Sequence, residues 1–161
     1  MPIKYEDSYL GQLRKLIGKQ KAFVITARAI IQDSVGRVLF VCRKDNGNWV
    51  MPAGSMELGE SIMDCVRREV REECGLEVIS AVPIAVYSEP RFSFVTVYGD
   101  PYQPLSIVFL VKEWRGQLQS ATDETLDARF FSLDELPPNL PAVYHETLKD
   151  LTRYNGQMIV K

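Results

Sequence analysis

The chain has 161 residues, of which 46% are hydrophobic and 25% charged, and this composition suits a single globular domain with a substantial core. Its formal net charge is −2 and it has no dense lysine and arginine run, which argues against an extended nucleic-acid surface. No segment approaches the roughly 20 apolar residues of a membrane span, and residues 1–21 lack the apolar core of a signal peptide. We therefore expect one domain, residues 1–161, that is cytoplasmic and does not bind membranes.

The cysteines agree with a reducing compartment. Cys42, Cys65 and Cys74 are odd in number, and their spacing is not that of a zinc site. They lie in segments that we predict to be strand or helix, so we interpret them as reduced thiols of the interior.

Residues 1–20 predict a helical extension ahead of the main domain. Asp7 or Ser8 can cap a helix whose apolar residues share one face, and Gly18 can end it. Gly11 weakens such a helix by about 1 kcal/mol relative to alanine, so the helix needs a surface to pack against. That surface is either the core of the same chain or a second subunit, and a homodimer is therefore one of the two possibilities.

Strands outnumber helices in the remainder of the chain. Apolar and β-branched segments bounded by turn residues predict strands over Phe23–Ile31, Val38–Arg43, Leu76–Tyr87, Phe92–Tyr98, Leu105–Glu113 and Arg129–Ser132. A last helix is predicted from about Ala142 to Tyr154, after a proline-rich turn. This order predicts an α+β fold in which a mixed β-sheet is sandwiched between α-helices.

A helix over Ser61–Cys74 has clear start and stop signals. Ser61 is followed three positions later by Asp64, as in a capping box, and Gly75 suits the left-handed conformation that ends a helix. Apolar residues recur at helical spacing between these ends. At about 100° per residue, one side of this helix collects several acidic residues.

These acids are Glu69, Glu72 and Glu73, which fall within an arc of about 100°. One interpretation is a solvated helix with salt bridges such as Arg68 to Glu72. However, the like-charge pairs each cost about 0.2–0.5 kcal/mol, and a helix adapted only to solvent would scatter them. We therefore expect a hard divalent cation, Mg²⁺ or Mn²⁺, because such ions prefer oxygen ligands.

Nine residues around this helix resemble, without a missing position, the signature box of the Nudix hydrolases, and they span 23 residues. They are Gly54, Glu60, Arg68, Glu69, Val70, Glu72, Glu73, Gly75 and Leu76. A run at 128–137 also looks like the closing strand and turn of that family. The resemblance covers roughly residues 20–140 and implies the Nudix fold.

What the resemblance implies is hydrolysis of a pyrophosphate bond in a nucleoside diphosphate linked to another group. Carried over by position, Glu69, Glu72 and Glu73 should bind the metal, helped by the backbone carbonyl of Gly54. Glu60 should be an outer metal contact. The expected partner is thus a small nucleotide-derived substrate.

The resemblance also implies catalytic roles. Glu69 is expected to accept the proton of the attacking water, instead of or in addition to binding metal, and Arg68 to orient a glutamate, in the first place Glu72, through a charge-assisted hydrogen bond. The alternative is a non-catalytic Nudix-fold sensor that binds a nucleotide without cleaving it. Relatives of that kind typically lack acids of the box, whereas this chain has all of them, so an enzyme is favoured.

Substrate contacts are less well defined by the sequence. Arg43 ends a strand just before the metal loop and can reach a phosphate, or it is a solvated cation. Arg28 lies within an apolar strand, where it lines a pocket or extends its charge to solvent. A further acid outside the box often assists in this family, and the candidates are Glu89, Glu124 and Asp127. Nucleoside triphosphates, ADP-ribose, dinucleoside polyphosphates, nucleotide sugars and RNA 5′ ends all remain open as substrates.

Overall fold

The structure is a computed structural model that describes residues 2–161. Its helices are α1 (Tyr9–Ile17), α2 (Ile62–Cys74) and α3 (Ala142–Arg153), with 3-10 turns at Tyr5–Asp7 and Pro90–Phe92. Its strands are β1 (Ala22–Ile30), β2 (Val38–Arg43), β3 (Trp49–Val50), β4 (Ala53–Ser55), β5 (Glu77–Tyr87), β6 (Phe94–Val95), β7 (Pro101–Arg115), β8 (Thr125–Phe131) and β9 (Ile159–Val160).

The strands form two sheets. The larger has the order β4-β1-β7-β5-β9, with β6 paired to β7, and it is mixed because β1 and β9 run parallel to their neighbours β7 and β5. The smaller is antiparallel, with the order β3-β2-β8. The predicted α+β class with a mixed sheet and packed helices is confirmed. The structure also divides the strands between two sheets, which the sequence did not predict.

The N-terminal extension packs on its own chain. Ser8 caps α1 by accepting a hydrogen bond from the Gly11 N–H, and Gly18 follows the helix with a φ of 58°. Arg14 donates to the Tyr102 hydroxyl at 2.9 Å and to the Pro101 carbonyl at 2.9 Å, which fixes α1 against β7. Helix α1 therefore packs against the core of its own chain. A homodimer stays a prediction.

Gly11 has a packing reason in this arrangement. A Cβ at this position would lie 1.8 Å from the carbonyl oxygen of Tyr5, so only glycine lets α1 lie against the preceding 3-10 turn. The helix-weakening residue is thus the one that permits the contact.

The predicted strand Phe92–Tyr98 is shorter in the structure. Pro90 begins a 3-10 turn, and the strand is limited to Phe94–Val95. After it, the Thr96 hydroxyl accepts from the Asp100 N–H at 3.1 Å and closes a turn. Local turn chemistry therefore prevails over the β propensity of the aromatic residues.

At the other end of the chain, β9 pairs with β5 and extends the larger sheet. Lys161 follows it, and its ammonium group contacts Glu146 at 2.8 Å and Asp150 at 2.8 Å, both on α3. Within residues 2–161, no helix has the length and apolar character needed to cross a membrane.

Candidate metal and substrate site

Helix α2 is the element that positions the acids. Ser61 and Asp64 form the predicted capping box at its start, and Gly75 ends it with a φ of 74°. Its buried apolar residues, such as Val66 and Val70, pack towards β1 and β4. Because these residues fix the rotation of the helix, the glutamates of the adjoining face point along the edge of β4 into a cleft.

Three carboxylates meet in this cleft. Glu69, Glu72 and Glu124 each place an oxygen so that these oxygens all lie within 4.8 Å of one another. Glu124 precedes β8, and its backbone carbonyl accepts from the Lys44 N–H at 3.0 Å, which holds this loop beside the cleft. An acid of the small sheet thus joins two acids of α2.

The other acids named outside the box lie in ion pairs elsewhere. Asp127 pairs with Arg129, and Glu89 pairs with Arg91 at 2.7 Å. Of the three sequence candidates, the structure therefore brings only Glu124 to the box glutamates. The sequence signal for Glu124 was its position just before a strand, and that signal applied equally to Asp127.

Arg68 connects several of the acids. Its guanidinium donates to Glu69 Oε1 at 2.6 Å, to Glu60 Oε1 at 2.8 Å and to Glu72 Oε2 at 3.2 Å. It also donates to the Ser55 carbonyl oxygen at 3.0 Å. The shorter contacts go to Glu69 and Glu60, whereas Glu72, the expected first partner, is the most distant of the three.

Glu73 lies behind this group. One of its oxygens accepts from the Ala53 N–H at 3.0 Å, and the residue is 3% exposed. Gly54 follows directly, and a Cβ added to it would lie about 1.9 Å from the Glu69 carboxyl carbon. The glycine of the box is thus required for the Glu69 side chain to occupy its position.

Burial perturbs the acidity of these groups. Loss of hydration raises the pKa of Glu69 to about 7, against the opposing effect of the Arg68 charge. Burial likewise raises the pKa of Glu73 well above its usual range, with the Glu69 charge adding to the effect. The pKa of Glu124 is raised for the same first reason, and Glu72 contributes. Such a site stabilises bound positive charge.

Two clefts open on either side of the β4 edge. The first, of about 530 Å³, has the box glutamates on one wall and residues of the N-terminal extension on another, namely Ile3, Tyr5, Ser8 and Leu10. The second, of about 640 Å³, has a mixed lining in which aromatic residues of β5, β7 and α3 and of the loop that contains Pro90 lie beside the charged residues Arg28, Arg43, Arg91 and Glu146. They share Leu10, Arg43, Ala53, Gly54 and Ser55.

The two arginines named as substrate contacts line these clefts. Arg43 lies where the clefts meet and pairs with Asp45 through contacts of 2.9 and 2.6 Å. Arg28 lies in the second cleft and donates to the Thr147 hydroxyl at 3.0 Å. The structure thus places both guanidinium groups beside a cavity that adjoins the carboxylates.

Comparison with known proteins gives a consistent result. The sequence profile of the NUDIX domain matches residues 22–151. An ADP-ribose pyrophosphatase of Methanocaldococcus jannaschii is 34% identical over 130 residues, which are 78% of this chain and 72% of that protein. An NAD-capped RNA hydrolase of Pseudomonas aeruginosa is 41% identical over 90 residues, but these are 56% of this chain and 28% of that enzyme.

Among solved structures, a MutT NUDIX hydrolase from Burkholderia pseudomallei superposes with a TM-score of 0.66 at 24% identity. The match covers 81% of this chain and 98% of that protein, and it concerns the fold.

Proposed function

This chain belongs to the Nudix hydrolase family, and we propose that it hydrolyses a pyrophosphate bond in a nucleoside diphosphate linked to another group, with the help of Mg²⁺ or Mn²⁺. Membership of this family identifies an enzyme that acts on pyrophosphate bonds. The observation that carries the metal-dependent mechanism is the convergence of Glu69, Glu72 and Glu124 within 4.8 Å.

The donor set fits a hard divalent cation. It consists of carboxylate oxygens, which Mg²⁺ and Mn²⁺ prefer, from one buried and two half-buried glutamates. Glu69, Glu72 and Glu124 would hold the ion, and Glu73, Glu60 and the Gly54 carbonyl would be further contacts. When bound, such an ion neutralises part of the diphosphate charge and lowers the pKa of a water molecule.

Three side chains of the protein would have distinct roles in the reaction. The Glu69 carboxylate lies beside the other oxygens of the cluster and would accept the proton of the attacking water. Arg68 keeps this carboxylate in place through its contact at 2.6 Å and holds Glu60 on its other side. Arg43, at the junction of the two clefts, would bind a phosphate oxygen.

The relatives suggest which substrates to examine first. The pyrophosphatase that matches 130 residues of this chain acts on ADP-ribose, and the shorter matches include hydrolases of NAD-capped RNA and 8-oxo-dGDP phosphatases. We propose ADP-ribose and related adenine dinucleotides as the first candidates. The alternative of a sensor without activity is not favoured, because every acid of the box is present.

A substrate screen tests this proposal. We expect turnover of ADP-ribose or a related dinucleotide in Mg²⁺, its loss in excess chelator and its recovery when Mg²⁺ is restored. The screen would also contain nucleoside triphosphates, dinucleoside polyphosphates, nucleotide sugars and triphosphorylated RNA, with products separated by chromatography. Turnover that persists in chelator would exclude the metal-dependent mechanism, and binding without any cleavage would favour the sensor.

Gly54→Ala is expected to remove most activity while the rest of the fold is retained. The new methyl group would occupy the position of the Glu69 carboxylate, with about 1.9 Å between carbon atoms, so that side chain must move out of the cluster. We expect a drop in kcat of about 10²-fold or more, as is typical when a catalytic acid or base is misplaced. Steady-state kinetics and the Mg²⁺ dependence of the rate measure the effect.

Gly36→Ala is the matched control. Gly36 has a φ of 84° in a remote turn, and no atom lies within 4 Å of its added Cβ. This change strains the backbone and lowers stability by about 1 kcal/mol, but it should leave kcat unchanged. Equal activities of the two variants would contradict the role assigned to Gly54.

A further inference from the structure

Arg28 stands out among the arginines of the second cleft. Its guanidinium carbon lies 4.7 Å from the ring centre of Tyr144 and 5.9 Å from that of Tyr87. Its backbone is paired in register with Ala53, one residue before the glycine of the metal loop. The Arg28 side chain therefore occupies the second cleft next to the proposed reaction centre.

The charge of Arg28 has no carboxylate partner. Across residues 2–161, no carboxylate oxygen lies within 4.0 Å of its nitrogens, whereas the other cleft arginines are paired. Arg43 is bound by Asp45, and Arg91 contacts Glu146 through two bonds of 2.9 Å. The aromatic rings compensate Arg28 only in part, because a cation–π contact is weaker than the hydration that a shielded ion loses.

Two hydrogen-bonding atoms of this cleft are also unsatisfied. In the described chain, two buried side-chain polar atoms lack a partner, Arg28 Nε and Ser93 Oγ, and both residues line the second cleft. Buried polar groups are normally paired, so an unpaired one calls for an explanation such as an absent ligand. A guanidinium without a carboxylate partner and a hydroxyl without a hydrogen-bond partner thus belong to residues that line the same cavity.

The walls of the cavity indicate what accompanies that anion. Tyr87 and Phe92 are stacked with ring centres 4.9 Å apart and nearly parallel planes. Together with Phe94, they form an aromatic wall in a space of about 640 Å³, which accommodates a flat ring or a sugar. The cleft thus combines surface for a planar group with unsatisfied donors.

We propose that the second cleft binds the part of the substrate on one side of the pyrophosphate, and that this part carries an additional anionic group, a phosphate or a carboxylate, bound by Arg28 and Ser93. This inference rests on the proposed function and narrows its substrate class. Among the candidate substrates, nucleoside diphosphate derivatives with a further negative charge outside the cleaved bond should then be preferred over ADP-ribose, which has no anionic group besides its diphosphate.

Binding without turnover tests the site directly. Calorimetry in chelator would compare adenosine 2′,5′-bisphosphate and 3′,5′-bisphosphate with adenosine 5′-monophosphate, and a glucuronate-bearing nucleotide sugar with its glucose counterpart. We expect one anion-bearing member to bind about 10–100-fold more tightly than its partner, the range typical of a charge-assisted hydrogen bond. Equal affinities within all pairs would overturn the proposal.

Variants of Arg28 and Ser93 then test whether these two residues cause the preference for the anion-bearing ligands. Arg28→Gln retains a hydrogen-bond donor without charge, so it should abolish the preference, measured as the ratio of the two affinities within each ligand pair. Arg28→Lys should retain part of the preference, and Ser93→Ala should reduce it about 3–10-fold. Arg115→Gln, a change of an exposed arginine paired with Glu77 outside both clefts, is the control.

The outcomes separate this inference from the proposed function. A preference that survives in Arg28→Gln, with Arg28→Lys also unchanged, would show that the guanidinium has a structural role only. A binding preference without hydrolysis of NADPH, coenzyme A, UDP-glucuronate, ADP-ribose or any other compound of the screen in Mg²⁺ would leave the anion site intact and contradict the proposed catalysis. Hydrolysis with equal kcat/KM for NADPH and NADH, coenzyme A and its 3′-dephospho form, and UDP-glucuronate and UDP-glucose would contradict the anion site.

Discussion

Glu69→Gln is expected to lower kcat by about 10²–10⁴-fold, the contribution typical of a general base. The change removes the charge and the proton-accepting oxygen and alters the volume little. It also removes one of the like charges gathered with Glu72 and Glu124. We therefore expect the variant to unfold at a higher temperature than the parent in chelator, while it gains less stability from Mg²⁺.

Kinetics and thermal unfolding of the same samples measure these two effects. Glu113→Gln is the matched control, because Glu113 is exposed on β7 and lines neither cleft. Glu73→Gln is expected to fold as well, because an amide oxygen can still accept from the Ala53 N–H. A near-normal rate for Glu69→Gln would eliminate Glu69 as the base and as a necessary metal ligand.

In chelator, the free energy of unfolding is expected to fall as pH rises from about 5 to about 8. Burial raises the pKa of Glu69 to about 7 and that of Glu73 well above normal, so the folded state binds more protons than the unfolded state in this window. The contribution of these two carboxyls to stability is then greatest below the unfolded pKa of about 4.5 and declines as pH rises through the folded pKa, by on the order of 3 kcal/mol for Glu69.

Denaturant unfolding at a series of pH values, with chelator or with saturating Mg²⁺, measures this slope. Carboxyls whose pKa is lowered, such as Asp64 and Glu146, titrate below the window and do not contribute to it. Bound Mg²⁺ should reduce the decline, because the cation favours the ionised carboxylates. A stability in chelator that is constant or rises over this range would contradict the unfavourable burial of these charges.

The sequence predicted helix α2 well because the signals for its start and end are local. Ser61 with Asp64 at the start and Gly75 at the end determine the limits of α2, and the apolar residues between them determine which face is buried. The rotation of the glutamates follows from that face. This is why the helix and the acids of one wall could be predicted before any tertiary contact was known.

The features that the sequence did not predict depend on contacts between distant parts of the chain. The strands Trp49–Val50 and Ile159–Val160 have two residues each, so no periodicity precedes their pairing. Similarly, Glu124 and Asp127 have equivalent sequence surroundings, and only the position of the loop beside Lys44 separates them. The sequence also could not predict that Arg28 lacks a carboxylate partner, because this depends on which side chains the fold brings near it.

The N-terminal extension contributes to the shape of the first cleft and thus to the choice of substrate. Its residues form one side of the first cleft, yet they precede the region that matches the NUDIX domain, which begins at residue 22. The backbone N–H of Tyr9 donates to Glu57 at 2.7 Å, within the loop that leads to α2. A fragment trimmed to residues 22–151 would keep the α2 glutamates but present them in a more open groove. The substrate selectivity of such a fragment would therefore differ from that of the whole chain.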